Sequence, residues 1–271
     1  MSCLVKKSGE IISKDTIDII RERYERITRA INREFWKDKS TADHSLLVGS
    51  YGRGTAIDTS DIDVLVELPQ SEYERYDSQK GNGQSRLLQA VRSVLQTTYS
   101  RSNISGDGQV VKIEFSDGVK FEILPAFLNM SCYSQSYPYP DSNMGGNWKS
   151  TNPKSEQEAM KKKNISSNGL LFDTCRHFRR VRDEYFCGSH LSGIVIDSFI
   201  YEAMGNWHWV SDGEISFASH GDYEKVLYNY LVDKYSLYGM PVMLKAPGSN
   251  QAVNASSSIE CLKKVVDYIA N

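Results

Sequence analysis

Two aspartates at alternate positions, Asp61 and Asp63, sit in an apolar run with Ile62, Val64 and Val66. On a β-strand successive side chains point to opposite faces. The two carboxylates therefore share one edge, about 7 Å apart, and the aliphatic residues take the other face. Just upstream, Leu46-Leu47-Val48 breaks into Gly49-Ser50-Tyr51-Gly52-Arg53-Gly54-Thr55, a turn rich in backbone N–H donors. Paired carboxylates beside such a turn suit a divalent metal ion and a polyphosphate. Taken singly, a Gly-Ser turn is most often only a turn, and an Asp-Ile-Asp at a strand entrance a solvated edge. Turn, strand and third carboxylate falling in order make the less accidental pattern.

The third carboxylate comes from Val110–Leu124, two alternating runs around Asp117-Gly118 that read as a hairpin. With those two residues as the loop, 113 faces 122 and 115 faces 120. Glu122 then shares a mostly apolar face with Val111, Ile113, Phe115 and Leu124, and Glu114 lies on the other face beside Lys112. A carboxylate on an apolar face is costly unless a positive charge meets it. A metal shared with Asp61 and Asp63 would supply that charge and favours Glu122 over Glu114. The plain alternative is an edge glutamate paired with Lys120, and a one-residue slip would exchange the faces.

Several elements must position these strands. Ser13 is placed to cap a helix in which Ile17, Ile20, Tyr24, Ile27, Ile31 and Phe35 form one apolar stripe. At about 1.5 Å per residue it spans roughly 35 Å, long enough to run along two lobes. Gln70–Gln84 reads as a loop or short irregular helix broken at Gly81-Asn82-Gly83, and a second helix follows from Ser85 on Leu87, Leu88, Val91, Val94 and Leu95. Asn129–Gly169 is rich in Ser, Tyr, Pro, Asn and Gly and reads as a crossover with little regular structure; its Lys161-Lys162-Lys163 run reads as a solvated face. The remainder reads as helical. Leu170–Val181 sets Leu171, Cys175, Phe178 and Val181 on one stripe and Arg176, Arg179 and Arg180 on another side. Further helices are predicted over Ile194–Met204, after Ser192, and over Asp222–Tyr238, with Ser257-x-x-Glu260 as a capping box for the last one.

The 271 residues, 40% hydrophobic and 24% charged, are enough for one large domain or two lobes. A net charge of −2 argues against a long nucleic-acid groove. Five scattered cysteines without a Cys-x-x-Cys fit neither a disulfide framework nor a zinc ribbon, and point to a reducing, cytoplasmic setting. No apolar run approaches the roughly 18 residues of a membrane span, and no signal-peptide core opens the chain.

Gly49-Ser50, Thr55, Asp61-x-Asp63 in an apolar strand, and a strand ending Glu122-Ile-Leu-Pro-Ala resemble the polymerase-β-like nucleotidyltransferases. Within that superfamily the chain is most similar to the bacterial relatives of cyclic GMP-AMP synthase and oligoadenylate synthase, which make signalling nucleotides in anti-phage defence. Trp148 ahead of Asn152-Pro153, the basic helix Arg176–Arg180, Leu191-Ser192 before a helix, and Pro247 to Asn254 follow in the expected order. The resemblance thus covers roughly residues 13–271. It implies an α+β, bilobal fold, with a spine helix in 1–39, a mixed-sheet catalytic core in 40–130 and a mainly helical lobe in 131–271.

By the same resemblance Asp61, Asp63 and Glu122 would hold two Mg²⁺ (or Mn²⁺) ions. Gly49, Ser50 and the adjoining N–H groups would hold the donor's phosphates, with Arg176, Arg179 and Ser192 as phosphate contacts from the helical lobe. The third acid is Glu where many relatives have Asp, Ile194 falls where some stack an aromatic on the base, and the zinc-ligand cluster of the animal synthase has no counterpart. The implied reaction joins nucleoside triphosphates into a cyclic or short linear oligonucleotide in a cleft between the lobes. A downstream effector would respond to the product, and a regulatory protein is a further expected partner. Two alternatives stand beside it: transfer to a protein, tRNA end or antibiotic, or a catalytically silent nucleotide sensor.

Overall fold

Ser13 accepts a hydrogen bond from the Thr16 N–H at 3.1 Å and so opens helix α1, Lys14–Ile31, which continues into a π-helical turn at Asn32–Trp36. Of the stripe read from the sequence, Ile20, Ile27 and Ile31 are buried and Tyr24 and Phe35 half-buried, while Ile17 near the helix start is exposed. The structure, a computed structural model, describes residues 4–9, 11–130, 135–211, 213–236 and 243–271. It divides into two compact units, Ile12–Gly52 with Thr59–Asn152, and Met1–Ile11 with Arg53–Asp58 and Pro153–Asn271.

In the first unit α1 is followed by β1 (Ser45–Leu47), the short helix α2 (Gly49–Arg53), β2 (Ile62–Leu68), α3 (Gln70–Asp77) and α4 (Gly83–Thr98). Then come β3 (Asn103–Asp107), β4 (Val110–Glu114), β5 (Lys120–Phe127), β6 (Asn129–Met130), β7 (Gln135–Asp141) and β8 (Asn147–Thr151). The principal sheet has the order β1-β2-β5-β4-β3, with β2 and β5 parallel and every other pair antiparallel. It is a mixed sheet in an α+β fold. One of its faces carries Ile62, Val64, Val66, Phe121 and Ile123 against α1 and α4, in a core completed by Leu87, Val91 and Leu95. Each such side chain contributes about 1.5–3 kcal/mol on burial. The opposite face carries Leu65 and Ala126, packed with Val48 and Tyr137. The acidic edge lies on this second face.

Beyond 128 the chain is more regular than its composition predicts. Tyr137–Asp141 pairs antiparallel with Asn147–Thr151, and Pro153–Ser166 forms helix α5, which carries the three lysines. Prolines at 138 and 140 do not prevent β7, because a proline is tolerated where no ladder N–H is needed of it. Trp148 anchors the segment, its Nε1 donating to Asp77 at 2.8 Å and its ring against Tyr73 and Phe127.

In the second unit α5 is followed by α6 (Leu170–Tyr185), α7 (Gly193–Ala203), α8 (Asp222–Ser236), the ladder of β9 (Met243–Lys245) and β10 (Ala252–Asn254), and α9 (Ile259–Ala270). Leu171, Cys175, Phe178 and Val181 enter its core with Val195, Ile196, Phe199 and Leu262. The final helix starts after Ser258 with no side-chain cap, so the capping box expected at Ser257 is not made. No helix among the described residues is long and apolar enough to cross a membrane. Cys175, Cys187 and Cys261 are unpaired, and Cys3 and Cys132 lie outside the described residues.

Candidate active site

Asp63 and Glu122 are register partners across the parallel β2–β5 ladder. Neighbouring strands lie about 4.8 Å apart, so the two carboxylates project side by side from the same face. Asp61 stands exposed one residue ahead of β2. The third acid is therefore beside Asp63, but the reasoning from an apolar face is corrected. The hairpin pairs Glu114 with Lys120, Lys112 with Glu122 and Val111 with Ile123, one residue off the register expected from a two-residue loop. The loop is longer because Gly118 N–H donates to Phe115 O and Phe115 N–H to Val119 O, each at 3.0 Å. Glu122 and Glu114 thus share a face, and the positive charge that Glu122 needs is present as Lys112. The Lys112 Nζ is 3.2 Å from Glu122 Oε1 and 2.6 Å from Asp107 Oδ2. Its hydrogen bond to Asp107 raises the ammonium's pKa; partial burial opposes this and Glu122 adds to it. Glu114 is exposed and accepts from Asn103 Nδ2 at 3.1 Å.

The glycine-rich stretch is a helical turn rather than an open loop. Val48 N–H donates to Asp63 O at 2.8 Å and Gly52 N–H to Val48 O at 2.9 Å, which fixes α2 directly beside β2. Gly49 has φ of +57°, and a Cβ there would stand 1.8 Å from Asp63 Oδ2. Only glycine lets the backbone approach the carboxylate so closely. Ser50 follows it as the second residue of α2.

Among the described residues no three His, Cys, Asp or Glu side chains are gathered as a ready-made metal site. The donor set nevertheless fits a hard divalent cation. Carboxylate oxygens are the ligands such ions prefer, two are adjacent in register, and an ammonium is already drawn to one of them.

In the helical unit the other candidates sit around a buried ion-pair cluster. Asp197 of α7 takes both arms of Arg179, Nη1 to Oδ1 at 2.7 Å and Nη2 to Oδ2 at 2.9 Å. Arg53 Nε (2.8 Å) and Thr55 Oγ1 (3.0 Å) also donate to Oδ2, and Arg53 Nη1 reaches Glu156 Oε2 at 3.2 Å. Burial alone would raise the Asp197 carboxyl, but Arg179 and Arg53 hold it down at about 2. Burial pushes Glu156 up, with Arg53 opposing.

Arg179, expected on a different side of α6 from the apolar stripe, is instead buried, at 1% exposed. Its remaining contacts are the carbonyls of Cys175 and Gly193, and it has no open side to offer a phosphate. Arg176 is half-buried and donates Nη2 to Gly54 O at 2.9 Å, while its Nε is buried without a partner. Ser192 precedes α7, its N–H donating to Ser258 Oγ at 3.1 Å.

Of the residues singled out from the sequence, Gly49 approaches Asp63 and Asp63 is in register with Glu122, while Ser50 follows Gly49 in α2 and Asp61 stands at the strand entrance. Sequence reasoning missed Lys112 and Asp107, which only the true register reveals. It also missed Asp197, although a single acid within Ile194-Val195-Ile196-Asp197-Ser198-Phe199-Ile200 was a readable sign of a buried partner.

The model of the Second Messenger Oligonucleotide or Dinucleotide Synthetase domain matches residues 9–164, more than half of the chain. The chain belongs to that family. As a second-messenger synthetase it is a nucleotidyltransferase, and the family match takes in the acidic edge and the α2 turn but ends before Arg176, Arg179 and Ser192. Enzymes of this kind use divalent metals. Solved structures share the fold across nearly the whole chain. The STING-associated CdnE c-di-GMP synthase from Capnocytophaga granulosa aligns with TM-score 0.67 at 15% identity, over 96% of this chain and 82% of that one. The Rhodothermus marinus CdnE c-UMP-AMP synthase with Apcpp and Upnpp aligns with TM-score 0.63 at 18% identity, over 96% and 91%. CdnC from E. coli MS115-1, in complex with HORMA-deltaN, aligns with TM-score 0.59 at 15% identity, over 96% and 83%. No curated protein matches the chain.

Proposed function

We propose that the chain joins nucleoside triphosphates into a cyclic or short linear oligonucleotide, releasing pyrophosphate, as a signal in anti-phage defence. The observation that carries this reading is the register of Asp63 with Glu122 beside a glycine that only a bare backbone can occupy. Asp61, Asp63 and Glu122 would hold Mg²⁺ or Mn²⁺. When bound, such ions activate an acceptor hydroxyl and neutralise a departing pyrophosphate.

The protein's own part is positioning, which nucleotidyl transfer needs more than it needs a protein nucleophile. Gly49 and Ser50 would present backbone N–H groups to the donor's β- and γ-phosphates. Gly49 also keeps the Asp63 carboxylate close to that turn. A 2′- or 3′-hydroxyl of a second nucleotide attacks the α-phosphorus, and a second such attack closes a cyclic product. Within the helical unit, Arg176 and Ser192 stay as proposed nucleotide contacts, Ser192 at the start of α7. Arg179 acts here through Asp197, which holds Arg53 and Thr55 in place. A nucleotide pair bound to the Rhodothermus enzyme supports two triphosphate substrates, and the CdnC complex supports a protein regulator. A reducing cytoplasm is the compartment this reading requires, with an effector that responds to the product.

The test is direct. Wild-type protein given all four triphosphates with Mg²⁺ should release pyrophosphate and yield a small nucleotide product by mass spectrometry. Asp63→Asn and Asp61→Asn, both folded by circular dichroism, should give neither. Normal pyrophosphate release from either variant sinks the assignment. Pyrophosphate release only after a foreign acceptor is added would favour transfer to protein, tRNA or antibiotic.

A further inference from the structure

We infer that Lys112 is a positioning residue that keeps the metal ion's place on Glu122 and passes to Asp107 when the ion binds. The inference rests on the reading of Glu122 as a metal ligand. Lys112 faces Glu122 across the β4–β5 ladder, and its ammonium lies between two carboxylates, 3.2 Å from Glu122 and 2.6 Å from Asp107. The nearer of the two is the one outside the acidic edge. Asp107 ends β3 and is 63% exposed, so it can hold the ammonium in water without help from the site.

An ammonium and a divalent cation held by one carboxylate repel each other, so each weakens the other's hold on Glu122. Without Asp107 the ion's arrival would leave the ammonium facing it with no second carboxylate to turn to. A lysine suits the exchange because its charge is a point on a flexible stem, which can change partners without losing bidentate geometry. The contact therefore sets the affinity of the edge for metal in both directions: Lys112 competes for Glu122, and Asp107 weakens that competition.

Mn²⁺ titration of the full chain without nucleotide, read by electron paramagnetic resonance, tests this apart from turnover. Lys112→Ala should bind Mn²⁺ about three- to fivefold tighter, as the loss of one partly exposed ion pair allows. Asp107→Asn should bind it more weakly by a similar factor. The double variant should match Lys112→Ala, because Asp107 acts only through the lysine. An unchanged or weaker affinity in Lys112→Ala overturns the inference, as does a further loss on adding Asp107→Asn to it. Glu122→Gln separates the two levels. If it loses Mn²⁺ while Lys112→Ala is unchanged, only the lysine's role fails. If it binds Mn²⁺ like the wild type, the metal reading of Glu122 fails, and the inference with it.

Discussion

At Gly49 the backbone takes a positive φ and its missing side chain leaves room for Asp63 Oδ2, so one hydrogen-to-methyl change meets two penalties. Gly49→Ala is expected to cost about 1–2 kcal/mol from the left-handed backbone and to push the Asp63 carboxylate off its line. Pyrophosphate release should fall by orders of magnitude while the melting temperature drops only a few degrees. Unchanged turnover would mean that Asp63 does not need its present position. Glu122→Gln should lose most activity, and Glu114→Gln should keep it. The two now share a face, but only Glu122 is in register with Asp63. At this scale Asp63 was legible from strand alternation, whereas the face assigned to Glu122 was not, because it depended on a hairpin register one residue off. Nor was its balancing charge, because Lys112 meets Glu122 only once a five-residue loop has shifted the hairpin by one.

Elements fail or hold by their buried charges, and α7 is the clearest case. Its Asp197 carboxyl is fully buried and yet sits at about 2, below its ordinary 3.8, although burial acts the other way, because Arg179 and Arg53 overcome it. A lowered folded pKa means that the unfolded chain takes up the proton first as acid is added. The stabilisation is complete above 3.8 and is lost as pH falls through 2, an amount on the order of 2 kcal/mol. Urea unfolding followed from pH 5 to pH 2 should show this decline, and Asp197→Asn should flatten it. That variant should also be less stable at pH 7 by about 3–5 kcal/mol, because two buried guanidinium groups lose their partner. A stability at pH 7 equal to wild type would show the cluster to be dispensable. Helical periodicity located α6 and α7 well. It misjudged Arg179, because a basic residue one position off the apolar stripe can be turned inward by a partner on another helix, and periodicity carries no record of that partner.

For the chain as a whole, the family resemblance implied the α+β fold, but neither it nor the sequence pattern showed how the chain is shared between units. Residues 53–58 lie in sequence between the glycine turn and the acidic strand, yet they belong with the helices of 153–271. The reason is chemical. Arg53 and Thr55 both bond Asp197, Arg53 also reaches Glu156, and the Gly54 carbonyl takes Arg176. The amino-terminal residues join the same unit, with Val5 N–H on Glu224 and Ser8 N–H on Asp173. The chain therefore passes between the units at 11/12, 52/53, 58/59 and 152/153. A fragment of residues 153–271 keeps all its helices but lacks Arg53, so Glu156 is left buried without a cation and Asp197 keeps only Arg179. Such a loss costs several kcal/mol, comparable with the whole stability of a domain, about 5–15 kcal/mol. Expressed alone, 153–271 should show helical circular dichroism without a cooperative thermal transition. A sharp transition near that of the full chain would show instead that the short segment 53–58 is held by the helices and contributes little to holding them.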